Sequence, residues 1–348
     1  MPSDLTRRLL LAGLAGAPLA ACAAVGGPLS PAQVQVNLTT GALPPLPPGA
    51  EAGERDGAVR TGFDAVRRML VDATLDGEGP YRFVVDTGAN RSVLAQEVAE
   101  ALELPMSGRA MVHGIAGILP SSTTLVRTLN VGGLVSRRVR MPVLPRRFLG
   151  ADGLLGVDVL ERRRATLDFQ HQSFSIATGG GRPNLARGKQ SRERVSAEPN
   201  EIIVPARQRF GQLTIVDAEL GGVPLTAFLD SGAEITVGNA VLKDMILSRP
   251  GLFDGRLTQV ELVSATGQLM AGELASVPPL RLGGVRMGNL SCVFADLHTF
   301  RIWQLTDRPA MLIGVDVMRH FDSIELDFAA SNVTFRSARF GRTVNSGN

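Results

Sequence analysis

Residues 83–94 read FVVDTGANRSVL, and residues 227–238 read AFLDSGAEITVG. Each stretch is an apolar run that ends in Asp and continues with a hydroxyl residue, Gly and Ala. A second hydroxyl residue, Ser92 or Thr236, follows six positions after the Asp. An apolar, β-prone run that ends in Asp-x-Gly is typical of a buried strand that delivers one carboxylate into a tight turn. The chain therefore presents two such carboxylates, Asp86 and Asp230, at matching places.

Further segments of the chain match each other in the same order. The matched pairs are Val131–Leu134 with Leu282–Val285, Gly153–Leu160 with Met311–Met318, Thr166–Phe169 with Glu325–Phe328, and Ser173–Ile176 with Asn332–Phe335. Such an ordered set of matches indicates an internal duplication. The 39 Gly and 21 Pro favour many short strands joined by tight turns. We therefore predict an all-β fold of two homologous lobes with few short helices.

Composition excludes several functional classes. At 348 residues and 44% hydrophobic, the chain can bury a sizeable core, and its length favours about two domains. The net charge is only +3 and aromatic residues make up 5%, so no nucleic-acid partner is predicted. Two cysteines and four histidines without paired spacing give neither a disulfide framework nor a zinc motif. No cofactor and no metal are predicted, and the Gly-x-Ser-x-Gly motif of serine hydrolases is absent from the sequence.

The first 22 residues have the pattern of an export signal. Arg7 and Arg8 precede the apolar run 9–21, which ends in Leu-Ala-Ala followed by Cys22. This ending resembles the bacterial lipobox, in which the Cys is lipidated and anchors the chain to a membrane. An ordinary cleaved signal with an incidental Cys stays an alternative, and both the general and the twin-arginine export routes stay open. The prediction is a bacterial envelope protein that faces the periplasm or the exterior.

The rest of the chain divides by composition. Residues 23–61 are rich in Pro, Gly and Ala and predict an extended tether. Residues 62–178 form the first predicted lobe, 179–200 a polar linker, and 201–343 the second lobe. The strands predicted at 165–169 and 173–176 are expected to close the first lobe. Gly-tipped hairpins are predicted around residues 111–118 and 260–274.

An Asp-Thr-Gly or Asp-Ser-Gly triplet alone also fits a turn whose Asp caps backbone N–H groups. Here each triplet follows an apolar strand, precedes Ala, and is matched downstream by an apolar-apolar-Gly triplet, 154–156 or 312–314. Over residues 65–338 the sequence resembles the aspartic peptidases, and their retropepsin-like branch more closely than the pepsins. The resemblance implies two small closed β-barrel lobes related by a pseudo-dyad, with a cleft for a peptide or protein substrate. Duplication would supply both halves in one chain, so a monomer would suffice for activity.

The resemblance assigns the catalytic pair to Asp86 and Asp230. Two carboxylates about 3 Å apart cannot both ionise and therefore share a proton, and aspartic proteases are themselves the standard example of this effect. The further positions implied are Thr87, Gly88, Ser231 and Gly232 at the turns, Leu155, Gly156, Ile313 and Gly314 beneath the pair, and Gly114, Ile115, Ala116, Gly117, Ala265, Thr266 and Gly267 in flaps. Neither hairpin carries the Tyr of pepsin flaps. A non-catalytic peptide-binding lipoprotein that kept the cleft is the alternative, and the two intact Asp residues favour the enzyme.

Overall fold

The structure is a computed structural model that describes residues 58–64, 66–178, 194–195, 200–209, 212–253 and 255–337. The predicted signal peptide, Cys22, most of the tether and most of the linker lie outside these ranges. Of the described residues, 53% lie in strands and 12% in helices, which confirms the all-β class with few helices. No helix within the described ranges is long and apolar enough to cross a bilayer.

The first lobe contains a closed six-stranded barrel. Its elements are β1 (Ala58–Arg60), β2 (Gly62–Phe63), β3 (Met69–Leu75), β4 (Glu78–Val85), β5 (Val93–Ala95), α1 (Gln96–Ala101), β6 (Met106–His113), β7 (Ile118–Val131), β8 (Leu134–Leu144), α2 (Arg146–Leu149), β9 (Gly153–Leu155), α3 (Val157–Leu160), β10 (Arg163–Asp168) and β11 (Ser173–Thr178). The barrel order is β3-β4-β9-β5-β8-β7, and pairing of β3 with β7 closes the ring. Strand β1 lies within the stretch that the sequence analysis assigns to the tether.

The second lobe repeats this order as a half-barrel. Its elements are β12 (Arg194–Val195), β13 (Glu201–Arg209), β14 (Gln212–Leu220), β15 (Val223–Leu229), β16 (Val237–Gly238), α4 (Ala240–Leu247), β17 (Thr258–Val263), β18 (Leu269–Val277), β19 (Leu280–Leu282), β20 (Val285–Met287), β21 (Leu290–Phe294), α5 (His298–Ile302), β22 (Ala310–Ile313), α6 (Val315–Met318), β23 (Ser323–Asp327) and β24 (Asn332–Arg336). The order β14-β15-β22-β16-β21-β18 matches that of the first barrel strand for strand.

The second barrel differs from the first at one strand. The long strand β7 of the first lobe corresponds to two shorter strands here, β18 and β19, separated by Pro278 and Pro279. Proline has no N–H to donate to a sheet, so it interrupts the ladder at this place. As a result β19, rather than β18, pairs with β14. The second lobe is therefore a half-barrel rather than the predicted closed barrel, with the short strand β19 in the place beside β14.

The two lobes share one antiparallel sheet, β1-β11-β10-β23-β24-β13. Strands β10 and β23, one from each lobe, pair directly, with Thr166 opposite Glu325 and Arg164 opposite Asp327. Because Thr166 and Glu325 are matched positions in the duplication, this register places the pseudo-dyad between them. The strands at 165–169 and 173–176, which were expected to close the first lobe, lie outside its barrel: β10 pairs with β23 of the second lobe, and β11 pairs with β10 and β1.

Strands β4 and β15 bring the two Asp turns into the centre of the molecule. The last three residues of each strand are buried, from Phe83 to Val85 and from Ala227 to Leu229. A strand that is buried on both faces reads as a continuous apolar run, which is the pattern that precedes each Asp. Burying these runs in the barrel cores fixes where the two carboxylates emerge.

Candidate active site

Each Asp is held by the strand beside it. Strand β4 pairs in parallel with β9, which places Val85 next to Leu155. The Asp86 N–H donates to the Leu155 carbonyl at 3.0 Å, and in the second lobe the Asp230 N–H donates to the Ile313 carbonyl at 2.9 Å. Leu155 and Ile313 therefore lie at the base of the two turns and set the position of each Asp backbone.

The two carboxyl groups meet across the pseudo-dyad. They are within hydrogen-bonding reach of each other, and each also accepts from its own turn: Gly88 N–H donates to Asp86 at 2.9 Å and Gly232 N–H donates to Asp230 at 2.9 Å. A Cβ at Gly88 would overlap the Asp230 carboxyl, and one at Gly232 would overlap that of Asp86. Glycine at both places is thus a condition for the close approach.

Burial dominates the electrostatics of the pair. The side chains are half-buried, with both lobes packed around them. Desolvation raises the pKa of Asp230 well above its usual range, and the neighbouring charge of Asp86 raises it further. Desolvation also raises the pKa of Asp86, whereas the positive charge of Arg68 and the N–H groups of the turn lower it. These shifts favour a pair that holds one proton between its two carboxyls.

Four hydrogen bonds tie the turns to each other. The Thr87 hydroxyl donates to the Leu229 carbonyl at 2.8 Å and accepts from the Ser231 N–H at 3.0 Å. The Ser231 hydroxyl donates to the Val85 carbonyl at 2.7 Å and accepts from the Thr87 N–H at 3.1 Å. Both hydroxyls are buried. Because every bond crosses from one lobe to the other, the network fixes the distance between the carboxyls.

A second pair of carboxylates supports the turns from below. Asp158 accepts from the Ser92 N–H and hydroxyl at 2.9 and 2.8 Å, and the Ser92 hydroxyl accepts from the Gly156 N–H at 3.0 Å. Thr236, Asp316 and Gly314 repeat the arrangement, with a hydroxyl-to-carboxylate distance of 2.7 Å.

The support that Asp158 and Asp316 give to the turns is not predicted in the sequence analysis. Their recurrence as Val-Asp-Val in both copies was the signal that could have identified them. Gly156 and Gly314 leave room for this network, because a Cβ at either position would overlap the backbone of the loop after the Asp turn.

The two Gly-tipped hairpins meet each other. The Gly114 N–H donates to the Gly117 carbonyl at 2.8 Å and shapes the first tip, and a Cβ at Gly114 would overlap Ser264 and Thr266 in the second. Gln268 donates across the gap to the Ile118 carbonyl at 3.0 Å. A Cβ at Gly267 would likewise overlap Phe148 of the first lobe. The two hairpin tips therefore contact each other, and together they connect the first lobe with the second.

The first hairpin also docks on the second lobe. The His298 N–H donates to the Ile115 carbonyl at 2.6 Å, and His113 Nδ1 lies 3.1 Å from His298 Nε2. Ile115 packs against the apolar cluster around Phe228, which Ala233 and Ile235 of the second Asp turn also contact. The first tip and the second Asp turn thus pack on the same apolar cluster. Ala116 and Ala265 lie in the same two tips.

Within the described ranges, no group of three or more His, Cys, Asp or Glu side chains lies close enough to hold a metal ion. The site itself contains two carboxyl groups that share a proton. Such a pair can activate a water molecule and polarise a carbonyl at the same time.

Comparison with known families agrees with the duplicated geometry. The family described as aspartyl protease matches residues 71–159 and 216–317. Each match contains one Asp turn, its barrel strands and the apolar-apolar-Gly segment beneath it. No curated protein matches the chain.

Proposed function

Because the chain belongs to the aspartyl protease family, we propose that it is an aspartic endopeptidase that hydrolyses peptide bonds with a water molecule held between Asp86 and Asp230. The observation that carries the proposal is the contact of the two carboxyls across the pseudo-dyad, with Gly88 and Gly232 opposite them. A pair of carboxyls in this arrangement retains one proton, which supplies an acid and a base in the same site.

The proposed reaction uses both protonation states at once. The ionised carboxyl takes a proton from the water as its oxygen attacks the carbonyl carbon, while the protonated carboxyl gives its proton to the carbonyl oxygen. The tetrahedral species then collapses. The C–N bond breaks, the nitrogen takes the proton that came from water, and one hydroxyl of the intermediate returns its proton to the other carboxyl. The pair ends as it began.

The two hairpins give the site its proposed cover. A hairpin that closes over a bound peptide excludes water from the reacting centre, and it must open for substrate to enter. The contacts of Ile115 and Gln268 with the opposite lobe support a closed arrangement of the hairpins. Since both Asp turns come from one chain, we propose that one copy suffices for activity.

The test is cleavage of a mixed peptide library by the purified protein, with and without a statine-type inhibitor. We expect cleavage that the inhibitor blocks and that Asp86→Asn and Asp230→Asn each abolish, because the variants lack the base or its partner. Asp307→Asn, at an exposed position, is the matched control and should cleave normally. Peptide binding without cleavage by the wild-type protein would instead indicate a non-catalytic binding protein.

We also propose that the chain is exported and anchored to a membrane by lipid on Cys22, with a peptide or protein as its substrate. The support is the basic, apolar and small-residue order of residues 1–22. Changing Cys22 to Ser should move the protein from the membrane fraction to the soluble fraction without loss of peptidase activity. A Cys22→Ser protein that still pellets with membranes would exclude lipid at this residue as the anchor.

A further inference from the structure

Arg68 and Gln212 occupy the same position in the two lobes. Leu70 lies opposite Val84 in the first barrel, and Thr214 lies opposite Phe228 in the second. Corresponding residues in these pairs differ by the 144 positions that also separate Thr87 from Ser231. By the same offset, the counterpart of Arg68, just before strand β3, is Gln212 at the start of β14. The duplication has thus placed a charged residue on one side and a neutral residue on the other.

This position faces the Asp turn of the opposite lobe. The Gln212 side chain donates to the Gly88 carbonyl, and its Nε2 lies 3.4 Å from Asn90 Oδ1. Under the pseudo-dyad, Arg68 faces the second turn, where Glu234 is the counterpart of Asn90. The Asp86 carboxyl lies against Gly232 of this second turn, so Arg68 is placed near both Glu234 and Asp86. In agreement with this, its charge lowers the pKa of both groups.

The guanidinium of Arg68 is fixed in place. Its Nε lies 2.6 Å from Asp64 Oδ2, its Nη2 donates to the Leu149 carbonyl at 2.9 Å, and its backbone N–H donates to Asp64 Oδ1 at 2.8 Å. Only 16% of the side chain is exposed. A charge held in this way cannot turn away into solvent, and water screens it poorly.

We infer that Arg68 breaks the symmetry of the carboxyl pair, so that Asp86 carries the negative charge and Asp230 carries the proton in the resting protein. Among the charged groups of the described residues, Asp86 faces Arg68 and Asp230, while Arg68 in turn faces Asp64 and Glu234. Arg68 is a positioning residue, since it acts on the reaction through Asp86.

The directions of the pKa shifts agree with this assignment. Burial raises the pKa of both carboxyls, but the positive charge of Arg68 opposes the rise at Asp86, whereas the negative charge of Asp86 raises the pKa of Asp230 further. Given the proposed function, Asp86 is then the base that takes the proton of the attacking water. Asp230 is the acid that protonates the carbonyl oxygen of the substrate.

The deciding experiment measures, in the full chain, which of the two carboxyls carries the proton. Aspartate labelled with ¹³C at Cγ gives different chemical shifts for charged and neutral carboxyls, and Asp86→Asn and Asp230→Asn assign the two signals. At a pH where the pair holds one proton, we expect a charged Asp86 signal and a neutral Asp230 signal. Two intermediate shifts, or a charged Asp230, would overturn the inference. The measurement is independent of cleavage, so its result stands apart from that of the peptidase assay.

Three variants test the cause. Arg68→Gln, which copies the counterpart Gln212, should make the two signals more alike, whereas Arg68→Lys should keep them apart. Arg319→Gln is the matched control, because Arg319 also acts on Glu234 but is exposed to solvent, which screens its charge. Unchanged signals in Arg68→Gln would contradict the proposed cause. If that variant does not fold, the wild-type and Arg68→Lys spectra still decide.

The pH profile of kcat/KM gives a second readout. In Arg68→Gln the acid limb should move to higher pH, with roughly a tenfold loss of kcat/KM on that side, which is the size of effect that one neighbouring opposite charge has on a carboxyl. The alkaline limb should move less, and Arg68→Lys should restore the profile. A loss of activity that is equal at every pH would show a merely structural role and would overturn the inference.

Discussion

Replacing Glu234 by Gln should stabilise the protein above pH 7 and leave its stability unchanged near pH 4.5. Glu234 lies four residues after Asp230, and burial raises its pKa from 4.5 to about 7, with Arg68 opposing the rise. Its Oε2 atom is buried and has no hydrogen-bond partner among the described residues. A buried carboxylate without such a partner is costly, so ionising it should weaken the fold.

The sign and size of the effect follow from proton linkage. A carboxyl whose pKa rises on folding keeps in the folded state a proton that it has already lost in the unfolded state. Wild-type stability therefore falls as pH rises from 4.5 to about 7. The full shift corresponds to roughly 3 kcal/mol, which is an upper value because the side chain is only partly buried. Gln resembles the protonated Glu in shape and does not ionise, so the variant should avoid this loss.

Urea unfolding at a series of pH values measures the difference. Trp303 is the only tryptophan, is 4% exposed and stacks on Phe228, so its fluorescence reports on the lobe that carries Glu234. Other buried carboxyls, such as Asp158 and Asp316, titrate in both proteins and cancel in the comparison. Glu161→Gln, at an exposed position, is the control and should show no such trend. An equal difference between Glu234→Gln and wild type at pH 4.5 and pH 8.5 would refute the reasoning.

Three further predictions concern the turns and the core. Thr87→Val should destabilise the protein by roughly 2–4 kcal/mol in urea unfolding, because it leaves a buried carbonyl and a buried N–H of the other lobe without partners, and Thr87→Ser should keep most of the stability. Placing Ser at both Ala89 and Ala233 should move the alkaline limb of kcat/KM to lower pH, since a hydroxyl can donate to the ionised pair; a limb that stays in place would contradict this account. Cys292 is fully buried and burial raises the pKa of its thiol, so it should react with thiol reagents only after unfolding; fast labelling of the native protein would show that it is accessible.

The sequence was sufficient for the Asp turns because their determinants are local. An apolar run, an Asp and a Gly within six residues specify a buried strand and a tight turn, and Phe83 to Gly88 adopt that arrangement. Because the chain contains two copies of this pattern, the sequence also predicts that the two Asp carboxyls form a pair. The hydroxyls of Ser92 and Thr236 can be identified from the sequence for the same reason, because each lies six positions after its Asp.

Other features depend on residues far apart in the chain. The pairing of Thr166 with Glu325 joins the lobes, but the sequence of neither strand specifies the strand that it pairs with, so this pairing is not predicted from the sequence. His113 and His298 come together across 185 positions, and a single His in each hairpin or helix gives no signal of its partner. The break at Pro278 and Pro279, by contrast, was visible in the sequence as two residues that cannot donate to a sheet.

The duplication also explains why the two halves agree at some positions and differ at others. Positions that shape the pair itself are matched: each Asp needs a Gly opposite it, and each turn needs a hydroxyl that crosses to the other lobe. Arg68 and Gln212 are free to differ, because they surround the pair without forming it. Two identical chains related by a true dyad would place the same side chain at both positions, and neither carboxyl could be favoured. A single chain with two copies can fix one charge on one side, and so give the two carboxyls separate roles before a substrate arrives.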